Sequence, residues 1–297
     1  MPRHVPFALV DVFAVEPLTG NPLAVVDGGA ALDERLMQRI AREFNQSETT
    51  FLLPPTGRAL WRLRSFTPIG VEVFGAGHNA LGAWWWLAEK GRLPLTDGAN
   101  LFEQEIGPLV LPLTVQVADG RPTAVVMEQA APETGRSVAD PQALAAALGL
   151  ARNDLDLDTL PAQVISTGAG HLMIPVRHRD AVDAIRVDAP ALLACLQAVG
   201  GEGAYVFSRD PRAAGATAYA RFFNPTVGIS EDPATGTAAG PLACHLVAHG
   251  LAPAGQKLVI EQGTAIGRTS LIGVRVTAKA VEIFGGGVTV AEGTLRL

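Results

Sequence analysis

Hydrophobic and polar positions along the chain fall into two periods. Ala8 to Val15 is rich in β-branched and aromatic residues and predicts a strand, Thr19-Gly20-Asn21-Pro22 a turn, and Leu23 to Val26 the returning strand. From Asp33 to Phe44 the period becomes helical, with Leu36, Ile40 and Phe44 spaced four apart behind the acids Asp33 and Glu34. The polar run from Asn45 tips into a short strand that ends at Pro54, and Leu60 to Thr67 is a strand closed by Pro68. Leu109 to Val117 and Thr123 to Gln129 predict a strand pair around Asp119-Gly120. Asp140-Pro141 has the cap and first-turn proline of a helix start, and Ala189 to Val199 predicts a further helix. Strands are expected at Gln163–Thr167, Leu172–Val176, Ala204–Ser208, Ala216–Asn224, Lys257–Gln262, Ser270–Ala278, Val281–Phe284 and Val288–Leu297.

One pattern occurs twice. Arg64-Ser65-Phe66-Thr67-Pro68 leads through an acid and a glycine loop, IGVEVFGAGHNALG, into an apolar run that ends at Gly91. Arg221-Phe222-Phe223-Asn224-Pro225 leads through TVGISEDPATGTAAG into an apolar run that ends at Gly250. From arginine to last glycine the second copy is longer by two residues. Repeats this far apart imply two related domains, since solenoid periods are much shorter. The boundary is placed in the polar, proline- and glycine-containing stretch Ala130 to Arg136, giving domains 1–130 and 131–297, with the final strand open to either. The class is α+β: two mostly antiparallel sheets, each packed on a helix. Each glycine loop opens onto a helix N-terminus, where free N–H groups and the positive end of the dipole suit an anion. Two such ends facing one another would grip a small anionic molecule.

Composition narrows the function classes. The chain of 297 residues is 48% hydrophobic and 18% charged, as in a globular protein with a large core. Its net charge of −6 and the lack of a Lys/Arg cluster argue against nucleic acid as a partner. The longest apolar stretches, such as Ala80 to Ala88, are too short for a bilayer, and MPRHVPFALVDVF lacks the pattern of a signal peptide. A cytoplasmic protein without a membrane partner is expected. Cys195 and Cys244 lie in apolar helical patterns, as inert buried thiols do, and the histidines show no convincing metal-ligand spacing. No metal is expected.

Several residues are chemical candidates. Glu48 sits between a polar turn and an apolar strand, where a partly desolvated carboxylate suits acid/base work, or where a glutamate is merely solvated. His78 closes the first glycine loop and either exchanges a proton with substrate or bonds a neighbouring carbonyl. Glu72, Glu231 and Asp232 either complement helix dipoles or act on a substrate ammonium or on His78. Asn21 is a turn former or a substrate contact. Neither loop matches a dinucleotide fingerprint. Trp84-Trp85-Trp86 cannot share one helix face, so at least one ring is expected near the surface.

Ser47-Glu48-Thr49-Thr50-Phe51, Gly77-His78 with Leu81-Gly82, Glu231-Asp232-Pro233-Ala234-Thr235-Gly236 and the Gly20-Asn21-Pro22 turn together resemble the phenazine-biosynthesis PhzF-like family, over nearly the whole chain. The resemblance implies a diaminopimelate-epimerase fold with its site in the cleft between two similar domains, a homodimer, and no metal or organic cofactor. Epimerases and racemases of that fold use two cysteines; the matching places here are Ala76 and Thr235, so a two-thiol reaction is excluded. The resemblance assigns proton transfer between two carbons to Glu48, assistance to His78 and Asp232, and substrate binding to Asn21, Gly77, Gly236 and Thr237, with backbone N–H groups around the last three holding the carboxylate. The implied activity is that of a trans-2,3-dihydro-3-hydroxyanthranilate isomerase; an epimerase and a non-catalytic small-molecule binder on the same scaffold are the alternatives.

Overall fold

The computed structural model describes residues 4–297; Met1, Pro2 and Arg3, where the N-terminal reading begins, lie outside the described residues. The chain forms two compact units, one of the residues up to Glu128 with Phe284–Leu297, the other Gln129–Ile283. Among the described residues no helix is long and apolar enough to cross a membrane.

The first unit runs β1 (His4–Val12), β2 (Asn21–Asp27), α1 (Glu34–Phe44), β3 (Thr49–Leu53), β4 (Trp61–Phe66), β5 (Glu72–Val73), α2 (His78–Glu89), β6 (Gly98–Ile106), β7 (Leu109–Ala118) and β8 (Arg121–Gln129). β1 and β2 are antiparallel, β2 and β3 parallel, and β3 and β4 antiparallel. β4 carries short β5 antiparallel and β6 parallel, and β6, β7 and β8 continue antiparallel. α1 begins where the sequence places a cap: Asp33 accepts from the Leu36 N–H at 2.8 Å.

The second unit runs β9 (Glu133–Ser137), α3 (Pro141–Ala147), β10 (Gln163–Ser166), β11 (Gly170–Pro175), α4 (Arg179–Ala184), α5 (Ala189–Val199), β12 (Gly203–Ser208), β13 (Ala218–Asn224), β14 (Ile229–Asp232), α6 (Gly236–Ala248), β15 (Lys257–Gln262), β16 (Ser270–Val276) and β17 (Val281–Gly285). Its pairings repeat those of the first: β10–β11 antiparallel, β11–β12 parallel, β12–β13 antiparallel, short β14 antiparallel to β13, then β15 parallel to β13 and antiparallel to β16. The last strand, β18 (Gly287–Arg296), pairs antiparallel with β1 in the first unit.

The two copies found in the sequence are therefore β4–β5–α2 and β13–β14–α6. Arg64 holds Glu72 through two hydrogen bonds of 2.7 Å and lies over the Phe66 ring at 5.0 Å. Arg221 holds Glu231 at 2.9 and 2.7 Å and lies over Phe223, also at 5.0 Å. This clamp joins strand end to glycine loop in each unit. Both helices also stop alike. Gly91 and Gly250 take φ of 64° and 70°, and the amide after each reaches back to the carbonyls of Leu87 and Leu246, which is a Schellman ending.

α2 and α6 are apolar on nearly every side and buried nearly all round, as a helix enclosed by sheet must be. Close packing explains Gly82: a Cβ there would come within 2.5 Å of Val12 Cγ2 and 2.7 Å of Leu23 Cδ2. Gly82→Ala is expected to cost about 1–3 kcal/mol in urea unfolding through overpacking. Trp84 and Trp86 are buried. The Trp84 indole stacks on Phe102 and donates to Gln104 at 2.9 Å, that of Trp86 reaches Glu292 at 3.4 Å, and half-buried Trp85 lies against Gly286.

The sequence pattern did not reveal β6, β9 or α4, nor the short β5 and β14, which fall in the stretches read as glycine loops. β6 escapes because two polar residues take buried positions: Gln104 receives Trp84, and Glu105 accepts from the Thr56 N–H and hydroxyl at 2.8 and 2.6 Å. β9 occupies the stretch read as a boundary; all five of its residues are exposed, and it is held by pairing with β10.

Candidate active site

In the first unit Glu48 immediately precedes β3 and His78 is the first residue of α2. Glu48 Oε2 lies 3.7 Å from His78 Nδ1, and the side chains keep 17% and 11% of their exposure. His78 Nε2 is buried without a hydrogen-bond partner among the described residues. Burial pushes the His78 pKa down to about 4, so the imidazole is neutral at physiological pH, with one N–H and one bare nitrogen to offer.

A ring of buried polar groups sets this separation. Asn79 Nδ2 donates to Ser65 Oγ (3.1 Å), Ser65 and Thr50 share a hydrogen bond (2.9 Å), and the Thr50 hydroxyl donates to the Asn79 carbonyl (3.3 Å). Thr50 is two residues past Glu48 and Asn79 one past His78, so the ring ties the base of one candidate to that of the other. Asn79 also shapes the glycine loop: Nδ2 donates to the Gly75 carbonyl (3.0 Å) and Oδ1 accepts from the Gly77 N–H (2.8 Å). Asn79→Ala is expected to destabilise the protein by about 1–3 kcal/mol per buried group left unpaired and to speed hydrogen exchange at Gly77.

The Gly77 amide donates to Asn79, and the first-turn amides that follow it in α2 have no intrahelical acceptor. Asn21 is wholly buried, and its Oδ1 accepts from the Ser47 hydroxyl at 3.5 Å, beside Glu48. Glu72 is taken up by Arg64 and does not orient His78.

The second unit places Asp232, Gly236 and Thr237 at the start of α6. Glu231 belongs to the arginine clamp, whereas Asp232, the next residue, accepts from the Thr235 hydroxyl through Oδ2. Gln262 braces the turn. Its Nε2 donates to the Asp232 carbonyl (2.7 Å) and Thr235 Oγ1 (3.1 Å), and its Oε1 accepts from the Thr235 N–H (3.0 Å) and the Tyr205 hydroxyl (2.8 Å). With Thr235 so engaged, no side chain caps α6, and the Gly236 and Thr237 amides have no intrahelical acceptor. α2 likewise lacks a side-chain cap. Both central helices thus begin with donors suited to an anion.

The two histidines at the end of α6 each contact a backbone carbonyl through one ring nitrogen. His245 Nε2 lies 3.1 Å from the Pro161 carbonyl oxygen and His249 Nδ1 2.9 Å from that of His245. No group of three or more metal-ligating side chains occurs among the described residues. Cys244 is buried and its pKa is pushed up to about 11, mainly by that burial, which leaves a thiol at neutral pH. Thr50, Ser65, Asn79 and Gln262 were not singled out by sequence reasoning. The first two stood in the very strands it drew, each just before a phenylalanine.

Comparison with known proteins identifies the family. A family model described as phenazine biosynthesis-like protein matches residues 10–293. The chain is 36% identical to a trans-2,3-dihydro-3-hydroxyanthranilate isomerase of Pseudomonas aeruginosa, over 98% of this chain and 99% of that protein. Among solved structures, a PhzF-family phenazine biosynthesis protein of Bacillus anthracis superimposes with a TM-score of 0.89 at 27% identity, covering 99% and 100% of the two chains. A predicted epimerase from Pseudomonas aeruginosa superimposes with a TM-score of 0.81 at 33% identity, over 98% of each chain. The two-unit α+β fold is that of these proteins, and the chain belongs to the phenazine biosynthesis-like, PhzC–PhzF family.

Proposed function

We propose that this protein is a cofactor-independent isomerase that moves a proton between two carbons of a small cyclic amino- or hydroxy-carboxylate, with Glu48 as the acid/base. The observation that carries the reading is Glu48 set 3.7 Å from a neutral, buried His78 whose Nε2 has no protein partner. A buried imidazole nitrogen without a partner is costly unless a ligand supplies one. Glu48 removes an acidic C–H proton, the negative charge spreads into a conjugated system that His78 and the helix-start amides polarise, and the protonated Glu48 returns the proton to a different carbon. Asn21 and Ser47 hold the approach to Glu48. Asp232, Gly236 and Thr237 are assigned to substrate binding, Asp232 with an assisting part. The substrate class follows the relatives named trans-2,3-dihydro-3-hydroxyanthranilate isomerase. A homodimer in the cytoplasm is the setting we propose.

The similarity to a predicted epimerase supports a second reading, in which the proton returns to the carbon it left. One experiment separates the two. The protein is incubated in D₂O with trans-2,3-dihydro-3-hydroxyanthranilate and, separately, with a panel of small amino and hydroxy acids, followed by NMR. Isomer formation with hydrogen delivered to a new carbon supports the isomerase. Deuterium at the original carbon with inverted configuration supports the epimerase. Unchanged substrates throughout would leave the protein a binder and end both readings.

A further inference from the structure

The second unit contains a histidine that the scheme above does not use. His171, on β11, is only 4% exposed, and its ring stands at 81° to that of Phe222, 5.0 Å between centroids. Its Nε2 lies 3.3 Å from Thr237 Oγ1 in the first turn of α6. Its Nδ1 is buried without a hydrogen-bond partner and faces Gly203, where even a Cβ would stand 3.2 Å away. Burial pushes the pKa down to about 4, so the ring is neutral and carries a single proton. If Nδ1 held that proton, a donor would be sealed against backbone and aromatic ring with nothing to accept it, the kind of orphan that folded proteins avoid most strongly. With the proton on Nε2, the donor is satisfied by Thr237.

We propose that His171 is a positioning residue that donates from Nε2 to Thr237 Oγ1, committing the threonine's own proton to the substrate carboxylate. A hydroxyl has one proton and two lone pairs, and it turns to suit its neighbours. An N–H donor on one side fixes the direction of that rotor. Among the described residues the Thr237 hydroxyl has no other side-chain or backbone acceptor. Thr237 then meets an anion already turned as a donor, beside the uncapped amides of α6. The assignment rests on the placing of Thr237 in the substrate site.

The first measurement needs no substrate. Nitrogen-15 NMR of the histidine rings in the full-length protein is expected to show a protonated Nε2 and a bare Nδ1 for His171, with the Nε2 signal displaced in Thr237→Val. A proton on Nδ1 overturns the proposal. The second measurement is titration with 3-hydroxyanthranilate, an aromatic analogue that cannot be isomerised. His171→Met is expected to weaken binding about tenfold, the worth of one oriented hydrogen bond, while His171→Gln, whose amide can donate to the same oxygen, recovers most of it. Equal weakening in both variants, or none in either, overturns the positioning role. Wild-type protein that neither binds this probe nor turns over the dihydro compound would overturn the reading of the site and the ligand half of this assignment. The ring-nitrogen signals, taken without ligand, would still decide the direction of the bond.

Discussion

Glu48→Gln is expected to lower the isomerisation rate by about 10²–10⁴-fold while leaving the fold intact. The amide has the shape of the carboxylate but cannot accept a proton from carbon, so only the proton transfer is removed. Stability should change by no more than about 1 kcal/mol, because the amide is isosteric with the carboxylate and Glu48 stands before β3, outside the Thr50–Ser65–Asn79 ring. The two measurements belong together: NMR rates with trans-2,3-dihydro-3-hydroxyanthranilate, and a urea midpoint for each protein. A variant that keeps its rate within a few-fold would remove Glu48 from the mechanism. A variant that loses rate and midpoint together would make Glu48 a structural residue.

The second large effect is on stability in acid. His78, His171 and His245 each have their pKa pushed by burial from 6.5 down to about 4. In the unfolded chain they titrate near 6.5. Between the two values the unfolded state binds more protons than the folded one, so lowering the pH favours unfolding. The stability these neutral imidazoles contribute is complete above pH 6.5 and is lost as the pH falls towards 4. Each costs on the order of 1 kcal/mol per pH unit within that window, so three together are a sizeable part of the margin of an ordinary protein. Urea midpoints should be level from pH 8 to about 7 and then fall steeply towards pH 5. His245→Gln, away from the proposed chemistry, should make that slope shallower. A midpoint unchanged between pH 7.5 and 5 would mean that these rings accept protons without unfolding the chain.

Much of this was legible in the sequence because the signals were local. Asp33 caps α1 and Asp140 caps α3, each through bonds to nearby amides that a short stretch of sequence already implies. The repeated arginine, acid and glycine pattern marked the two central helices. What was hidden depended on partners far along the chain. Asn79 carries no local signal, yet its side chain binds Ser65 and two glycines of the loop. Gln262 ends an unremarkable strand and braces Asp232 and Thr235, some thirty residues earlier. Glu72 and Glu231 had the right charge for chemistry, but a neighbouring arginine on an adjacent strand claims each. Local pattern finds elements and caps; it does not tell which of two adjacent acids a cation will take.

The arginine clamp is the same in both units, down to the aromatic ring beneath it, while the residues at the helix starts differ. Gly77-His78-Asn79 opens one helix and Gly236-Thr237-Ala238 the other. Such a division separates a shared frame, whose side chains depend on one another, from a few positions beside it that differ between the halves. New chemistry on this scaffold is therefore best sought by exchanging those few side chains in one half at a time, with arginine, glutamate and phenylalanine left untouched.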